Sequence, residues 1–366
     1  MGSNPISSTP RPDTKRCFII AEAGTSHAGD LGHARELVDA AREAGADCVK
    51  FQAVYAEEIL HPLTGTVELP TGRVPLYDRF LGLERDAAFY RAVKEHTERR
   101  GLVFLCTPFG IRSVALLEGL GVGAYKVASP ELNHLPLLRS VAATGKPVYL
   151  STGVSTLGDI ERALQIVGRA ATVMHCITAY PAPEEQYNLS VMPNLAAVLG
   201  VPVGLSDHSR DPLLVPCLAV ALGATCVEKH LTLSRAAPGL DDPIALEPRG
   251  FREMAGAIRR AEVEGREATV RRLADGYGEA RVRAVQGDGV KRLAQAELSN
   301  YGRTNRSIHA RRAIARGELY SEENIAILRT EKVLRPGLDP GLYERLLGRR
   351  AALDVPSGEG ITWEDF

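Results

Sequence analysis

Short apolar runs that end in charge recur along this chain, and they constrain its fold more than any other feature. Cys17-Phe18-Ile19-Ile20 leads to Glu22, Cys48-Val49 to Lys50-Phe51-Gln52, and Val203-Gly204-Leu205 to Ser206-Asp207-His208. The same ending occurs at Thr107, from Lys126 to Glu131, and at Glu228-Lys229-His230. Strands buried on both faces of a parallel sheet read as such runs. Parallel barrels collect their chemistry at the C-terminal ends of successive strands. The pattern therefore predicts a site distributed around a barrel rim.

The intervals between the runs have helical period. Asp30 can cap a helix whose apolar face is Ala34, Leu37, Val38 and Ala41, stopped near Gly45. Eight strands are predicted, at 17–24, 48–52, 102–108, 124–129, 148–152, 172–178, 203–208 and 225–232. That number favours an α/β fold of the (β/α)8 TIM-barrel type over an open doubly wound sheet, and no Gly-x-Gly-x-x-Gly follows the first strand. The longest interval, from Ala53 to about Gly82, has Pro and Gly breaks and is expected to cover the substrate.

The organisation read from these patterns is a disordered tail over residues 1–15, a barrel over 16–263, a charged, Ala-rich linker of helical character over 264–302, and a small mostly-β domain over 303–366. Strands in the small domain are predicted at 307–310, 325–329, 350–355 and 361–362. A unit of about 60 residues is marginal alone, so it is expected to lean on a barrel, its own or a partner's.

Charge excludes two classes of partner. The 44 lysines and arginines balance 45 acids, so no global field recruits nucleic acid or an anionic membrane, and a small-molecule partner is expected. The six cysteines lie apart, without a Cys-x-x-Cys pair, and read as reduced. With no apolar stretch of membrane length and no apolar core of a signal peptide, a cytoplasmic location is expected.

His208 and His230 end the seventh and eighth predicted strands, adjacent in a closed barrel, where two neutral imidazoles can hold a divalent metal with open positions. The plainer alternative is that each only hydrogen-bonds in the rim. Lys50 and Lys126 end other strands, and an ammonium inside a barrel needs an anion. A bound phosphate or carboxylate would serve, assisted by Thr107, Ser129, Ser151 and Ser206, and so would pairing with Glu22, Glu131 or Glu228. Glu22 and Glu131 could equally move protons. The acid-free run Arg303, Arg306, His309, Arg311, Arg312 and Arg316 could bind an anion or form a solvated face.

At these residues the chain resembles the sialic acid synthase family, the phosphoenolpyruvate-condensing synthases of N-acetylneuraminate and its bacterial relatives. The resemblance is carried by Ile20 to Gly24, Ala46 to Gln52, Cys106 to Phe109, Tyr125 to Leu132, Leu150 to Val154, His175 to Pro181, Gly204 to Ser209 and Glu228 to Thr232. The terminal domain resembles the family's antifreeze-like (SAF) module. The resemblance implies a transferase that condenses phosphoenolpyruvate with an N-acetyl-hexosamine-like aldehyde, yielding a nonulosonic acid and phosphate. It implies a divalent metal at His208 and His230, manganese first, with magnesium or cobalt as alternatives. It places phosphoenolpyruvate on Lys50, Thr107, Lys126, Ser129, Ser151 and Ser206, and makes Glu22, Glu131 and Glu228 the catalytic carboxylates. Gln52, Tyr180 and Asp241 would face the sugar, joined by Arg306 from another subunit of a domain-swapped homodimer.

The chain departs from the family pattern on the acceptor side. Ser26-His27-Ala28-Gly29 stands where Asn-His-Asn-Gly is common, Gly239-Leu240-Asp241-Asp242 where Gly-Pro-Asp-His is common, and Thr178 where Asn or Ser is frequent. A non-sialic sugar or nucleoside aldehyde is the alternative acceptor, and a non-catalytic carbohydrate-binding protein is the alternative of another class.

Overall fold

The computed structural model describes residues 16–69 and 72–366; the tail expected over 1–15 lies outside them. The first two strands are β1 (Phe18–Gly24) and β2 (Cys48–Ala53). An insertion then carries an antiparallel pair, β3 (Thr66–Leu69) and β4 (Gly72–Pro75). Next come β5 (Val103–Pro108), β6 (Tyr125–Val127), β7 (Val148–Ser151), β8 (Ala171–Cys176), β9 (Val203–Asp207) and β10 (Cys226–His230).

All but the insertion pair form one parallel sheet, in the order β5-β2-β1-β10-β9-β8-β7-β6. Its two end strands, β5 and β6, lie side by side, so the sheet curls into a barrel with helices outside. All eight expected strands are present. Several stop short of their expected ends, leaving Ser129, Thr152, Thr178, His208 and Thr232 beyond the last strand residue; of these Ser129, Thr178 and His208 line the cavity at the mouth.

Alternation along each strand explains both core and rim. Ile19, Ala21, Val49, Phe51, Cys106, Val173 and Val227 face outward and pack against the helices. Ile20, Cys48, Leu105, Met174 and Cys226 face inward and fill the barrel floor. Two residues further along each strand, the inward position becomes Glu22, Lys50, Thr107, Cys176 and Glu228. The interior thus changes from apolar to charged within one pleat repeat.

The first barrel helix, Leu31–Glu43, is capped by Asp30, which accepts from the His33 N–H at 2.7 Å, and it buries Ala34, Leu37, Val38 and Ala41 as expected. The helix over Pro248–Tyr277 is interrupted at Gly265, whose φ is 76°. Its second half and the helix Glu279–Gln286 place Leu273, Val282 and Val285 in the barrel's main core. Residues 264–286, expected as linker, are therefore packed structure.

The small domain pairs β11 (Arg306–Ala310) antiparallel with β12 (Ile325–Arg329) around Ile308, Tyr320, Ile327, Leu346 and Ile361. The strands expected at 350–355 and 361–362 are not formed. Single bridges, Leu319 with Arg350, Ile314 with Val355 and His309 with Gly360, take their place. Near 361–362 the chain crosses itself closely: a Cβ on Gly337 would lie 2.0 Å from the Ile308 carbonyl oxygen, and one on Gly360 2.2 Å from the Gly337 nitrogen.

Two predictions follow from this packing. A Cβ on inward-facing Gly204 would meet Cys226 Sγ at 2.2 Å and the Cys226 carbonyl oxygen at 2.8 Å. Gly204→Ala should therefore destabilise the barrel by about 1–3 kcal/mol in chemical denaturation. The buried His309 ring lies 2.8 Å from the Gly358 carbonyl oxygen and 2.8 Å from Ser307 Oγ. Burial pushes its pKa down to about 4. Between pH ~6.5 and ~4 the unfolded ring binds a proton that the folded ring refuses, so stability falls as pH drops through that window, by up to about 3 kcal/mol. His309→Gln should flatten this segment of the stability profile.

Candidate active site

A cavity of about 340 Å³ opens at the C-terminal mouth of the barrel. On one side the inward positions of β1, β2, β6 and β10 bring four buried charges together. Lys50 Nζ lies 2.7 Å from Glu22 and 3.8 Å from Glu228, and Lys126 Nζ lies 3.7 Å from Glu228. Lys126 donates to Ser151 Oγ at 2.6 Å, Lys50 to Thr107 Oγ1 at 3.2 Å, and Ser206 to Glu228 at 3.0 Å. Gln52 donates to the second oxygen of Glu22 at 2.7 Å.

Compensation in this cluster is uneven. Burial would raise the Glu228 pKa, but Lys126 and Lys50 hold it down to about 2. Burial would lower the Lys50 pKa, yet Glu22 and Glu228 raise it. For Lys126 burial prevails, its pKa falls, and the Lys50 charge works against it further. Lys126 is the cation with most to gain from another anion. Ser129, Ser151 and Ser206 line the cavity beside it.

Across the cavity, the rings of His208 and His230 lie 5.5 Å apart between centroids, and Tyr180 stacks on His208 at 4.2 Å. His208 Nδ1 is 2.7 Å from the Ile177 carbonyl oxygen, so it carries the proton of the neutral ring and leaves Nε2 as a lone pair. His230 Nδ1 lies 3.8 Å from Asp241. Burial lowers the His230 pKa to about 4, keeping that ring neutral. Burial also opposes charge on His208, but Cys176 and the Ile177 carbonyl favour it and push its pKa up to about 9. A metal would therefore have to displace a proton there. Among the described residues no group of three or more His, Cys, Asp or Glu forms a metal cage. His208 and His230 both line the cavity, so a cation held by these two imidazoles alone would have to take its remaining donors from what the cavity binds.

Most expected site residues line this cavity: Glu22, Lys50, Gln52, Lys126, Ser129, Ser151, Tyr180, Ser206, His208, Glu228, His230 and Asp241. Thr107 stands behind Lys50 rather than in the wall. Asp207, the sequence neighbour of His208, faces outward by strand alternation and pairs with buried Lys229 at 2.6 Å.

Glu131 and Arg306 are also placed differently from expectation. Both side chains are fully enclosed, 3.0 Å apart, within one chain. Arg306 donates as well to the Phe109 carbonyl at 2.9 Å and to the Glu58 carbonyl. With its donors consumed, Arg306 does not enter the cavity, and the small domain docks on its own barrel. The arginine that lines the cavity is Arg329, which donates to the same Glu131 oxygen at 2.8 Å. Arg329 ends the predicted strand 325–329, so the strand-end rule used for the barrel could have found it.

Other participants carried no such signal. Thr25, Asn300, Thr304, Glu331 and Lys332 join the lining. Buried Glu297, from the expected linker, accepts from the Val154 and Thr178 N–H groups at 2.7 Å each. Of the positions that depart from the family pattern, Thr178 and Leu240 line the cavity, and the buried Thr178 Oγ1 has no hydrogen-bond partner. Two of the departing positions are partners: Ser26 donates to Asp242 at 2.6 Å.

The NeuB family model matches residues 37–268, and the SAF domain model matches residues 305–366. The spore coat polysaccharide biosynthesis protein SpsE of Bacillus subtilis is 37% identical over 95% of this chain and 93% of its own length. Its crystal structure superposes with a TM-score of 0.80, at 36% identity, covering 96% of this chain and 95% of that one. The N,N'-diacetyllegionaminic acid synthase of Campylobacter jejuni is 32% identical over 95% of this chain and 99% of its own. The N-acetylneuraminic acid synthetase of Leptospira borgpetersenii, solved with citrate, gives a TM-score of 0.63 at 29% identity, covering 78% of this chain and 90% of that one.

Removing Glu131 would leave two buried guanidiniums facing each other. Glu131→Ala should cost about 3–5 kcal/mol, read as a large fall in melting temperature before any assay of activity.

Proposed function

This chain belongs to the NeuB family and carries a SAF domain, and from that premise we propose that it condenses phosphoenolpyruvate with an N-acetyl-hexosamine-like aldehyde to give a nonulosonic acid and phosphate. The observation that carries this reading is the division of one cavity. Under-compensated Lys126 and its serines form one side, and His208 and His230 form the other. Relatives named as legionaminic, pseudaminic and N-acetylneuraminate-9-phosphate synthases support the product class.

In this reading Lys126, with Ser129, Ser151 and Ser206, binds the anionic groups of phosphoenolpyruvate through charge-assisted hydrogen bonds. Lys50, already braced by Glu22 and Glu228, holds the other end of the donor, with Thr107 fixing its ammonium. Gln52, Tyr180 and Asp241 face the acceptor. C3 of phosphoenolpyruvate attacks the aldehyde carbon, forming the new C–C bond, and the aldehyde oxygen takes a proton. Glu22 stands where it can take a proton from the water that adds at C2. The C2–O bond to phosphorus then breaks, releasing phosphate and a 3-deoxy-2-keto acid three carbons longer than the acceptor. A divalent cation, manganese first, held by His208 and His230 with Asp241 beside them, would supply Lewis-acid polarisation of the aldehyde carbonyl. Glu131, enclosed between two arginines, acts through them rather than on substrate.

A phosphate-release assay with phosphoenolpyruvate and a panel of N-acetylated aldoses tests the reading. Turnover is expected with at least one aldose and should vanish on chelation and return with manganese. His208→Ala and His230→Ala should each lower kcat by at least about 100-fold, in line with the loss of a Lewis acid. Absence of phosphate release from a folded, manganese-loaded protein with every aldose would overturn the assignment.

A homodimer belongs to the same proposal. Because the small domain closes the mouth of its own barrel, mixing Arg306→Ala with His208→Ala subunits should restore no activity. Recovery would mean that the small domains are exchanged.

A further inference from the structure

Past the ends of β7 and β8, backbone groups are held by side chains that come from outside the barrel strands. The Val154 N–H donates to Glu297 Oε1 at 2.7 Å, and the Val154 carbonyl accepts from Asn305 Nδ2 at 3.1 Å. The Thr178 N–H donates to the same Glu297 oxygen at 2.7 Å, and its carbonyl accepts from Asn300 Nδ2 at 3.3 Å. Lys291 donates to the Thr152 carbonyl at 3.2 Å. Segment 291–305 thus binds both backbone groups of one residue at each of two neighbouring strand ends. Resting on the function proposed above, we propose that Glu297 is a positioning residue for the phosphoenolpyruvate side of the site: it fixes the turn after β7 and so keeps Ser129 and Ser151 aimed at the donor.

The path from Glu297 to the donor side is short. Glu297 is 1% exposed and is absent from the cavity wall, so it acts through the backbone rather than on substrate. Its second oxygen accepts from the Ala294 N–H at 3.1 Å, which fixes the carboxylate within its own segment. In the turn it holds, the Gly153 N–H donates to Ser129 Oγ at 3.0 Å, and Ser151 at the end of β7 accepts from Lys126 at 2.6 Å. A Cβ on Gly153 would lie 3.0 Å from Ser129 Oγ and 3.1 Å from Glu297 Oε1, so serine, turn and carboxylate are in close contact. Val154 sits at a φ of 43°, a left-handed conformation that a β-branched residue adopts only under constraint. Without Glu297, two buried N–H groups would lose their acceptor. Relaxation of the Val154 backbone would then carry the Gly153 N–H away from Ser129.

The test measures melting temperature, the KM of each substrate, and the Kd of phosphoenolpyruvate by calorimetry for wild type, Glu297→Gln, Glu297→Asp and Glu297→Ala. The acceptor is the best-used aldose of a panel containing N-acetylmannosamine, N-acetylglucosamine and N-acetylgalactosamine. Glu297→Gln keeps an acceptor oxygen at the same reach, whereas Glu297→Asp keeps the charge one methylene short of both amides. Glu297→Gln should stay within about threefold of wild type in the KM and Kd of phosphoenolpyruvate. Glu297→Asp and Glu297→Ala should raise both roughly tenfold or more, with the acceptor KM near wild type. If Glu297→Ala does not fold, Glu297→Asp carries the comparison. Val38→Ala, a core truncation on the first barrel helix, should lower the melting temperature without moving the phosphoenolpyruvate Kd. An unchanged phosphoenolpyruvate Kd in Glu297→Asp would overturn this inference alone, as would a joint rise of both KM values, which marks a purely structural role. A wild type that binds phosphoenolpyruvate but releases no phosphate with any aldose would overturn the function proposed above, while the Kd series still decides the role of Glu297. A wild type that binds no phosphoenolpyruvate would overturn both.

Discussion

Charge inside the barrel is tolerated only because the pleat delivers it in compensating pairs. Glu22, Lys50, Lys126 and Glu228 come from four strands, and each is the inward residue two positions beyond an apolar floor residue. Isolated, any one of them would be expensive to bury. Together they form a chain of alternating sign with separations between 2.7 and 3.8 Å. The chain is unbalanced at Lys126, and that imbalance leaves one end of the cavity receptive to an anion. The same parity turns His208 and His230 inward and sends Asp207 and Lys229 outward, where they pair with each other.

The mouth is completed by parts of the chain that are not barrel strands. The insertion after β2 packs Val54, Ile59, Leu60, Leu76 and Leu83 with Phe109, the residue that follows β5, into a small cluster, which brings apolar residues to the cavity edge. The segment after residue 286 crosses the opposite edge, where Glu297 binds two backbone amides. One belongs to Val154, a β-branched residue at a φ of 43°. Such a conformation persists only when its surroundings impose it. The small domain then closes over the mouth through Arg306, Arg329 and Glu131, making domain docking and cavity shape one problem.

How much of this was legible depended on the range of the interaction. The strands, the Asp30 cap and the inward histidines and lysines follow from local patterns of period two or near 3.6, so the barrel and most of its lining could be read directly. Glu131 could not be assigned by such patterns. Whether a strand-end carboxylate faces substrate or two arginines from 175 and 198 residues away depends on where a distant domain docks. Ser26 and Asp242 show the same limit: they look like two independent departures in the sequence and are one hydrogen bond in the fold, 216 residues apart. The strands expected at 350–355 and 361–362 show a related limit: their pairing partners, Leu319, Ile314 and His309, are distant in sequence, and single bridges form in place of ladders.

The amino-acid order therefore determined the barrel, the strand ends at which its charges emerge, and the donor types facing the cavity, because these depend on alternation within a few residues. Only the tertiary structure decided which charges neutralise one another and which remain free. It set Arg306 as a sealed clamp and Arg329 as the cavity arginine, although the two are neighbours in one ladder. The physical reason is that burial and pairing are properties of the closed mouth, formed by segments hundreds of residues apart, and a guanidinium's role depends on how many of its donors that closure consumes.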